Sequence, residues 1–137
     1  MNPIIRILIP AVIITIVTAC NYQTAESPIG SVDIDAASDL LEKDANVIVL
    51  DVRTAEEYAA GHIDGALNIG IADPDFAEKV AKLDRSATYL VHCTANVENG
   101  RSAKSLKIMG GLGFNKLLGM QGGIAAWQQS GYPMVEN

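Results

Sequence analysis

The chain has 137 residues, 49% of them hydrophobic, a formal net charge of −6 and two cysteines. This length allows one domain of ordinary size around a single packed core. An acidic chain without a basic stripe excludes general nucleic-acid binding. Two histidines and two cysteines form no recognisable zinc pattern, so neither a metal nor another cofactor is expected.

The first twenty residues resemble a bacterial lipoprotein signal. A positive start containing Arg6 precedes an apolar run over residues 7–17, and residues 17–20 match the lipobox. The resemblance implies that residues 1–19 are a signal peptide, removed before an acylated Cys20. Loss of Arg6 then changes the net charge from −6 to −7. An uncleaved anchor is disfavoured because a spanning helix needs ~20 apolar residues; ordinary secretion is the other alternative.

Such a signal predicts a protein held by lipid in the cell envelope, on the periplasmic side of a bacterial membrane. Several acyl chains on one cysteine hold a protein firmly, whereas one chain binds only marginally. Asn21 stands where an Asp is associated in enteric bacteria with inner-membrane retention, which favours the outer membrane. Residues 20–30 are polar and lack periodicity, so they predict a tether to a domain over residues 31–137.

Apolar runs alternate with amphipathic segments beyond the tether. A continuous run such as residues 47–50 is typical of a strand buried on both faces. Thr54 and Glu57 predict a capping box, and Gly110 with Gly111 predicts a helix end. The predicted strands cover residues 31–34, 47–50, 66–69, 88–92 and 116–118, and the predicted helices cover residues 36–42, 55–60, 75–82, 102–109 and 124–129. This alternation predicts an α/β fold, with helices on both faces of a parallel sheet and ligands at the carboxyl ends of its strands.

A polar loop with one cysteine follows the fourth predicted strand. It runs from Cys93 to Arg101 and Ser102, which begin the next helix. Loop N–H groups, a helix N-terminus and a guanidinium all favour an anion, so the thiol should ionise more easily than a free cysteine. With Cys20 acylated, Cys93 has no partner for an intramolecular disulfide, and a lone thiol in a polar loop favours reactivity. We therefore expect a nucleophile, and an enzyme.

Further motifs lie on both sides of this loop. Together with the loop itself they occupy residues 50–58, 61–69, 93–102, 113–114, 122–127 and 131–133. In this order, and over residues 31–135, they resemble the motifs of rhodanese domains. The resemblance implies a five-stranded parallel sheet and a sulfurtransferase. In that family a cysteine accepts a sulfane sulfur as a persulfide and passes it to a thiophilic acceptor. The implied substrates are a small donor such as thiosulfate and a thiol or cyanide acceptor; no protein partner is indicated.

The resemblance also implies roles for the loop residues. Cys93 is the nucleophile and sulfur carrier, in covalent catalysis by an electrostatically activated thiolate. Arg101 adds positive charge at the rim, and Ser102 caps the following helix. Backbone donors for the anionic sulfur or the departing sulfite come from the intervening residues Thr94, Ala95, Asn96, Val97, Glu98, Asn99 and Gly100.

The loop is longer than the family pattern. Seven residues separate Cys93 from Arg101, more than in familiar single-domain sulfurtransferases or related phosphatases. The longer loop either opens the pocket to a larger acceptor or bulges outward, and Glu98 within it is expected to face solvent.

Other polar or large residues near these motifs are predicted to be structural. His92 alternates to the opposite side of its strand from Cys93. His62 is predicted to hydrogen-bond within a turn, and Trp127 to lie in the core. Arg53 has the i, i+4 spacing to pair with Glu57.

Two other functions are compatible with the same fold and the same cysteine, loop and arginine. A phosphatase is disfavoured because phosphoryl transfer needs a general acid, and the sequence identifies no Asp or Glu in that role. A non-catalytic binding module is the alternative from another class. The presence of both Cys93 and Arg101 weighs against it.

Overall fold

The computed structural model describes residues 29–137, so the predicted signal peptide and the Cys20 lipidation site lie outside the described residues. Within that range, strands and helices alternate along the chain. The strands are β1 (Ile29–Val32), β2 (Ile48–Asp51), β3 (Leu67–Asn68), β4 (Tyr89–His92) and β5 (Leu117–Met120). The helices are α1 (Ile34–Lys43), α2 (Ala55–Ala59), α3 (Phe76–Ala81), α4 (Arg101–Gly111) and α5 (Gly123–Gln129).

The strands form one parallel sheet in the order β1-β5-β4-β2-β3. The central strand β4 pairs with β5 on one side and β2 on the other, and all its residues are buried. An apolar run suits a strand with both faces covered. Because the strands are parallel, their carboxyl ends meet at one edge of the sheet. The predicted α/β fold with a five-stranded parallel sheet is confirmed.

Helices cover both faces of this sheet, as predicted. Neighbouring residues of a strand point to opposite faces, so Val49 and Leu50 belong to different apolar clusters. Helices α1 and α5 pack on the Val49 face, where Trp127 is buried as predicted. Helices α3 and α4 pack on the Leu50 face, in the cluster that also contains Cys93. The cysteine therefore lies on the α4 side of the sheet.

All ten predicted elements are present, but each has a boundary that differs by one or two residues from the prediction. Strand β1 begins at Ile29 because this residue pairs with Leu117 of β5. The last two residues of the predicted tether therefore belong to the sheet. Helix α4 continues through Gly110 and Gly111, and it ends before Gly113, which has a left-handed φ of 90°. A glycine adopts this conformation without the steric cost of a Cβ, so Gly113 marks the helix end.

The predicted capping box at α2 is confirmed. The Glu57 N–H donates to the Thr54 hydroxyl at 3.3 Å, and the Glu57 carboxylate accepts the Thr54 N–H at 3.1 Å. These bonds fix the Glu57 side chain beside the carboxyl edge of the sheet, just beyond β2. None of the helices within residues 29–137 has the length and apolar character needed to cross a membrane.

Candidate active site

Cys93 directly follows β4, at the carboxyl edge of the sheet. It is 4% exposed and is not in a disulfide. Asn96 and Gly100 in the loop beyond it are half-buried. The loop residues that face solvent, including Glu98 as predicted, are Thr94, Ala95, Val97, Glu98 and Asn99. The thiol is thus enclosed, whereas most of the loop is accessible to a partner or substrate.

The start of the loop is anchored to α5. The Ile124 N–H donates to the carbonyl of Cys93 at 2.9 Å. The Ala125 N–H donates to the carbonyl of Thr94, also at 2.9 Å. In a trans peptide the N–H points away from the carbonyl, so the Ala95 N–H is turned away from α5. It bonds instead to the Cys93 sulfur. The packing of α5 therefore sets the direction of this donor.

Gly123 permits the close approach of α5 to the loop. Its φ is 59°, in the left-handed region. A Cβ at this position would lie 2.5 Å from the carbonyl oxygen of Cys93. Any side chain would therefore both strain the backbone and push the loop away. The motif at residues 122–127 thus contributes to the site through its backbone.

The Cys93 thiol is surrounded by uncharged hydrogen-bond donors. Ser102 Oγ lies 3.3 Å from Sγ. The backbone N–H groups of Ser102, Asn96 and Ala95 also bond to the sulfur. Burial raises the pKa of Cys93, but these hydrogen bonds together outweigh it and hold the pKa below its ordinary value. The thiolate is therefore more populated at neutral pH than in an ordinary cysteine.

Ser102 does not cap α4, contrary to the prediction. The N-cap residue is Gly100, and Ser102 is buried in the first turn of the helix. Its hydroxyl donates to Asn96 Oδ1. Because a hydroxyl carries one proton, it accepts from the Cys93 thiol in this arrangement and must rotate to donate to the thiolate. Ser102 therefore acts on the thiol through its side chain rather than on the helix end.

Fewer loop residues donate backbone hydrogen bonds to the sulfur than the sequence predicts. The Gly100 N–H donates to the Val97 carbonyl at 2.9 Å, so it closes a turn within the loop. Asn99 and Asn96 have left-handed φ values of 57° and 44°, which asparagine tolerates better than most residues. Val97, Glu98 and Asn99 form the exposed part of this turn. The longer loop therefore bulges into solvent, and its N-terminal half holds the sulfur.

Arg101 is bound by Glu57. Its Nη1 and Nη2 atoms lie 2.5 and 2.9 Å from Oε2 and Oε1 of the Glu57 carboxylate. The Thr94 hydroxyl accepts from Nη2 at 2.7 Å and donates to Oε1 at 3.0 Å. Hydrogen bonding from Arg101 is the main cause that lowers the pKa of Glu57 to about 2. Glu57 first, and the charge of Cys93 to a lesser extent, raise the pKa of Arg101. Arg101 therefore lies at the rim, as part of a neutral ion pair.

The predicted pairing of Arg53 with Glu57 is wrong. Arg53 is buried and bonds to Asp51, with 2.6 Å between Nη2 and Oδ2. The same Nη2 donates to the Gly61 carbonyl at 2.8 Å. The electrostatic attraction between two buried charges is stronger than that between a buried guanidinium and a half-exposed carboxylate. Glu57 is thereby left for Arg101.

The two histidines have structural contacts, as predicted. His92 is fully buried, and its Nδ1 donates to the Cys93 carbonyl at 3.3 Å. Burial is the main cause that lowers the pKa of His92, so its imidazole is neutral at neutral pH. His62 Nδ1 bonds to the carbonyl of Tyr58 at 2.9 Å, and the two rings stack.

A cavity of about 230 Å³ is separate from this site. Its lining residues are Ser38, Leu41, Glu42, Ile63, Asp64, Trp127, Tyr132 and Pro133, none of which belongs to the loop after β4. Within residues 29–137, no group of three or more His, Cys, Asp or Glu side chains could hold a metal ion.

Comparison with known proteins decides the family. The family model described as rhodanese-like domain matches residues 33–130, more than two thirds of the chain. This chain belongs to the rhodanese-like family. Thiosulfate sulfurtransferase 16, chloroplastic, of Arabidopsis thaliana is 35% identical over 113 residues, covering 75% of this chain and 90% of that protein. A probable adenylyltransferase/sulfurtransferase MoeZ of Mycobacterium tuberculosis is 34% identical over 95 residues; the match covers 69% of this chain but only 24% of that longer protein.

A solved structure supports the same assignment. The crystal structure of a rhodanese-related protein from Thermoplasma volcanium has a TM-score of 0.67 and 33% identity, covering 79% of this chain and 99% of that one. The relatives named as sulfurtransferases place this rhodanese-like domain with the sulfurtransferases at the level of the family. Small sulfur donors and acceptors are the substrate class at that level.

Three contacts at the site of this rhodanese-like domain join residues that are not near neighbours in the chain. The capping-box pattern identifies Glu57, but nothing near it in the sequence indicates that it also binds Arg101. The bond between the side chains of Asn96 and Ser102 likewise has no local pattern, although asparagine's tolerance of left-handed φ marks Asn96 as a turn residue. The bonds from α5 to the loop carbonyls had no local signal beyond the glycines at residues 122–123.

Proposed function

We propose that this rhodanese-like domain transfers sulfane sulfur through a persulfide on Cys93. The observation that supports the proposal is the buried thiol at the sheet edge, with hydrogen bonds that lower its pKa. In the first step, Sγ attacks the outer sulfur of a donor such as thiosulfate. The donor S–S bond breaks, and its electron pair leaves with sulfite. A thiol or cyanide then attacks the outer sulfur of the persulfide, which restores the Cys93 thiolate.

The loop favours each anionic stage of this cycle. The N–H groups of Ala95, Asn96 and Ser102 converge on the position of the sulfur. Donors that are already oriented stabilise negative charge without reorganising during the reaction. They serve first the thiolate and then the persulfide anion. Val97, Glu98 and Asn99 form the exposed turn of the loop and are accessible to an acceptor from solvent.

The alternative functions find less support at this site. A phosphatase needs a carboxylic acid that is protonated near neutral pH. Glu57 has a pKa of about 2, so it is not suited to donate a proton, and the buried Asp51 carboxylate is bound by Arg53. A binding module requires no activation of its thiol, whereas the pKa of Cys93 is lowered. Sulfur transfer needs a thiolate, so the lowered pKa of Cys93 favours this function.

We also propose that the chain is anchored by lipid on Cys20, in the cell envelope on the periplasmic side of a bacterial membrane. The support is the lipobox at residues 17–20 and, for the outer membrane, Asn21 at the next position. Strand β1 begins at Ile29, which leaves eight residues after Cys20. Eight extended residues span at most roughly 30 Å, so the domain would stay close to the membrane surface.

Intact-mass spectrometry of the full chain, expressed in a bacterium and extracted from its membranes in detergent, tests both proposals. We expect a mass that lacks residues 1–19 and includes acyl chains. Treatment with thiosulfate or 2-hydroxyethyl persulfide should add one sulfur, about 32 Da, and cyanide should remove it. Cys93→Ser should gain no sulfur. A full chain that retains residues 1–19 without acylation contradicts the anchor, and wild-type protein that loads from neither donor contradicts sulfur transfer.

A further inference from the structure

Arg101 is the first basic residue that follows Cys93 in the chain. Its charge is neutralised by an ion pair with Glu57. Residues 94–100 contain no Lys or Arg, and they include Glu98. Arg53, just beyond β2, is buried and bonded to Asp51. Both Nη atoms of Arg101 are hydrogen-bonded to the carboxylate of Glu57. The groups around the thiol therefore supply hydrogen bonds without a net positive charge.

Several hydrogen bonds hold the ion pair between Arg101 and Glu57 in place. The two parallel N–H···O bonds form the strong bidentate geometry of a guanidinium and a carboxylate. Thr94 bonds to both partners and adds a third point of contact. The capping-box bond to the Thr54 N–H holds the Glu57 carboxylate from the other side. A substrate anion would have to displace Glu57 to obtain the same bonds from Arg101.

Donors of sulfane sulfur differ in the charge that they bring to such a site. Thiosulfate carries two negative charges at neutral pH, and its second charge is on the sulfonate end, which leaves as sulfite. An organic persulfide carries at most one charge on its sulfur atoms. The N–H groups of Ala95, Asn96 and Ser102 suffice for one anionic sulfur. The sulfonate, by contrast, needs a cation that is not already paired.

We propose that the Glu57–Arg101–Thr94 cluster is a specificity determinant that selects low-charge organic persulfides over thiosulfate as the sulfur donor. This inference rests on the proposed sulfurtransferase function. The Cys93 thiolate attacks the outer sulfur of R–S–SH, and the S–S bond of the donor breaks. The leaving thiolate takes the proton and departs as R–SH, while Cys93 retains the sulfur as a persulfide anion. Atoms and charge balance without any further reactant.

The test compares Glu57→Gln with Glu56→Gln. Glutamine can still accept the Thr54 N–H bond of the capping box, so the start of α2 is preserved. Glu56 is exposed on the same helix, and its substitution changes the net charge of the chain by the same amount. Far-UV circular dichroism and thermal unfolding verify that both variants are folded. The measurement is the single-turnover rate of persulfide formation on Cys93 in the full chain in detergent, by rapid quench and intact mass.

Each protein is loaded in parallel with thiosulfate and with 2-hydroxyethyl persulfide. We expect wild-type protein to load faster from the persulfide. Glu57→Gln should raise the ratio of thiosulfate rate to persulfide rate about tenfold, because it frees the Arg101 charge at close range. Glu56→Gln should leave this ratio within about twofold, as a screened surface charge does.

Two outcomes would overturn the inference, and they differ from failure of the proposed function. Wild-type protein that loads from thiosulfate at least as fast as from the persulfide contradicts the selection. A rate ratio that responds equally to Glu57→Gln and Glu56→Gln shows a general charge effect instead of a specific pair. Failure of wild-type Cys93 to load from either donor contradicts sulfur transfer itself.

Discussion

The two arginine–carboxylate pairs near the sheet edge have the same chemistry in different surroundings. Arg53 and Asp51 are 7% and 0% exposed in their side chains, two residues apart in the chain. Arg101 and Glu57 are 36% and 35% exposed and lie 44 residues apart. A buried pair leaves a costly unpaired charge when one partner is lost, whereas an exposed pair contributes little to folding. The buried pair therefore supports the fold, whereas the exposed pair is accessible from solvent.

The largest effect is expected from breaking the buried pair. Asp51→Ala leaves the Arg53 guanidinium buried without its carboxylate, so the free energy of unfolding should fall by about 3–5 kcal/mol. Urea denaturation measures the change. The matched control is Asp73→Ala, which removes an exposed carboxylate from Lys79 and should cost no more than about 1 kcal/mol. Equal losses in the two variants would contradict the assigned role of the buried pair.

An intermediate effect is expected on the thiol. Ser102→Ala removes the hydroxyl next to Sγ, so the pKa of Cys93 should rise and alkylation by iodoacetamide at neutral pH should slow several-fold. Ser105→Ala is the control, because this buried serine on the same helix bonds to the Arg101 carbonyl instead. Its profile of alkylation rate against pH should match that of wild-type protein.

The same alkylation assay measures how much the exposed pair contributes to activation of the thiol. Because Glu57 and Arg101 together are neutral, the double variant Glu57→Gln/Arg101→Gln should shift the alkylation profile of Cys93 less than Ser102→Ala does. A larger shift in the double variant would mean that the ion pair, rather than the uncharged donors, activates the thiol.

The smallest effect is expected on stability from the exposed pair. Arg101→Ala should cost no more than about 1 kcal/mol at pH 7. The pKa of Glu57 is about 2 in the folded protein, below its ordinary 4.5, so the pair contributes stability above pH 4.5 and loses it as the pH falls toward 2. Urea denaturation at pH 7, 5 and 3 should show the difference between wild-type and variant shrinking below pH 4.5. A difference that grows on acidification would contradict this.

Much of the fold could be predicted from local patterns. The apolar run at residues 47–50, which contains most of β2, indicated a strand covered on both faces, and the alternation of strands with helices indicated a parallel sheet. The capping box of Thr54 and Glu57 was recognisable because its partners lie three residues apart. Boundaries were less accurate where pairing decides them, as with Ile29, whose place in β1 depends on Leu117.

The sequence by itself determined the individual strands, the helices and the loop that begins at Cys93, because each of these depends mainly on neighbours in the chain. Only the tertiary structure decided that Glu57 binds Arg101, that Ser102 turns to the thiol, and that α5 orients the loop peptides. Competition for partners is the physical reason. Arg53 could pair with Asp51, two residues before it, or with Glu57, four residues after it. Its burial beside Asp51 decides between the two carboxylates. That choice leaves Glu57 to the arginine that follows the thiol loop.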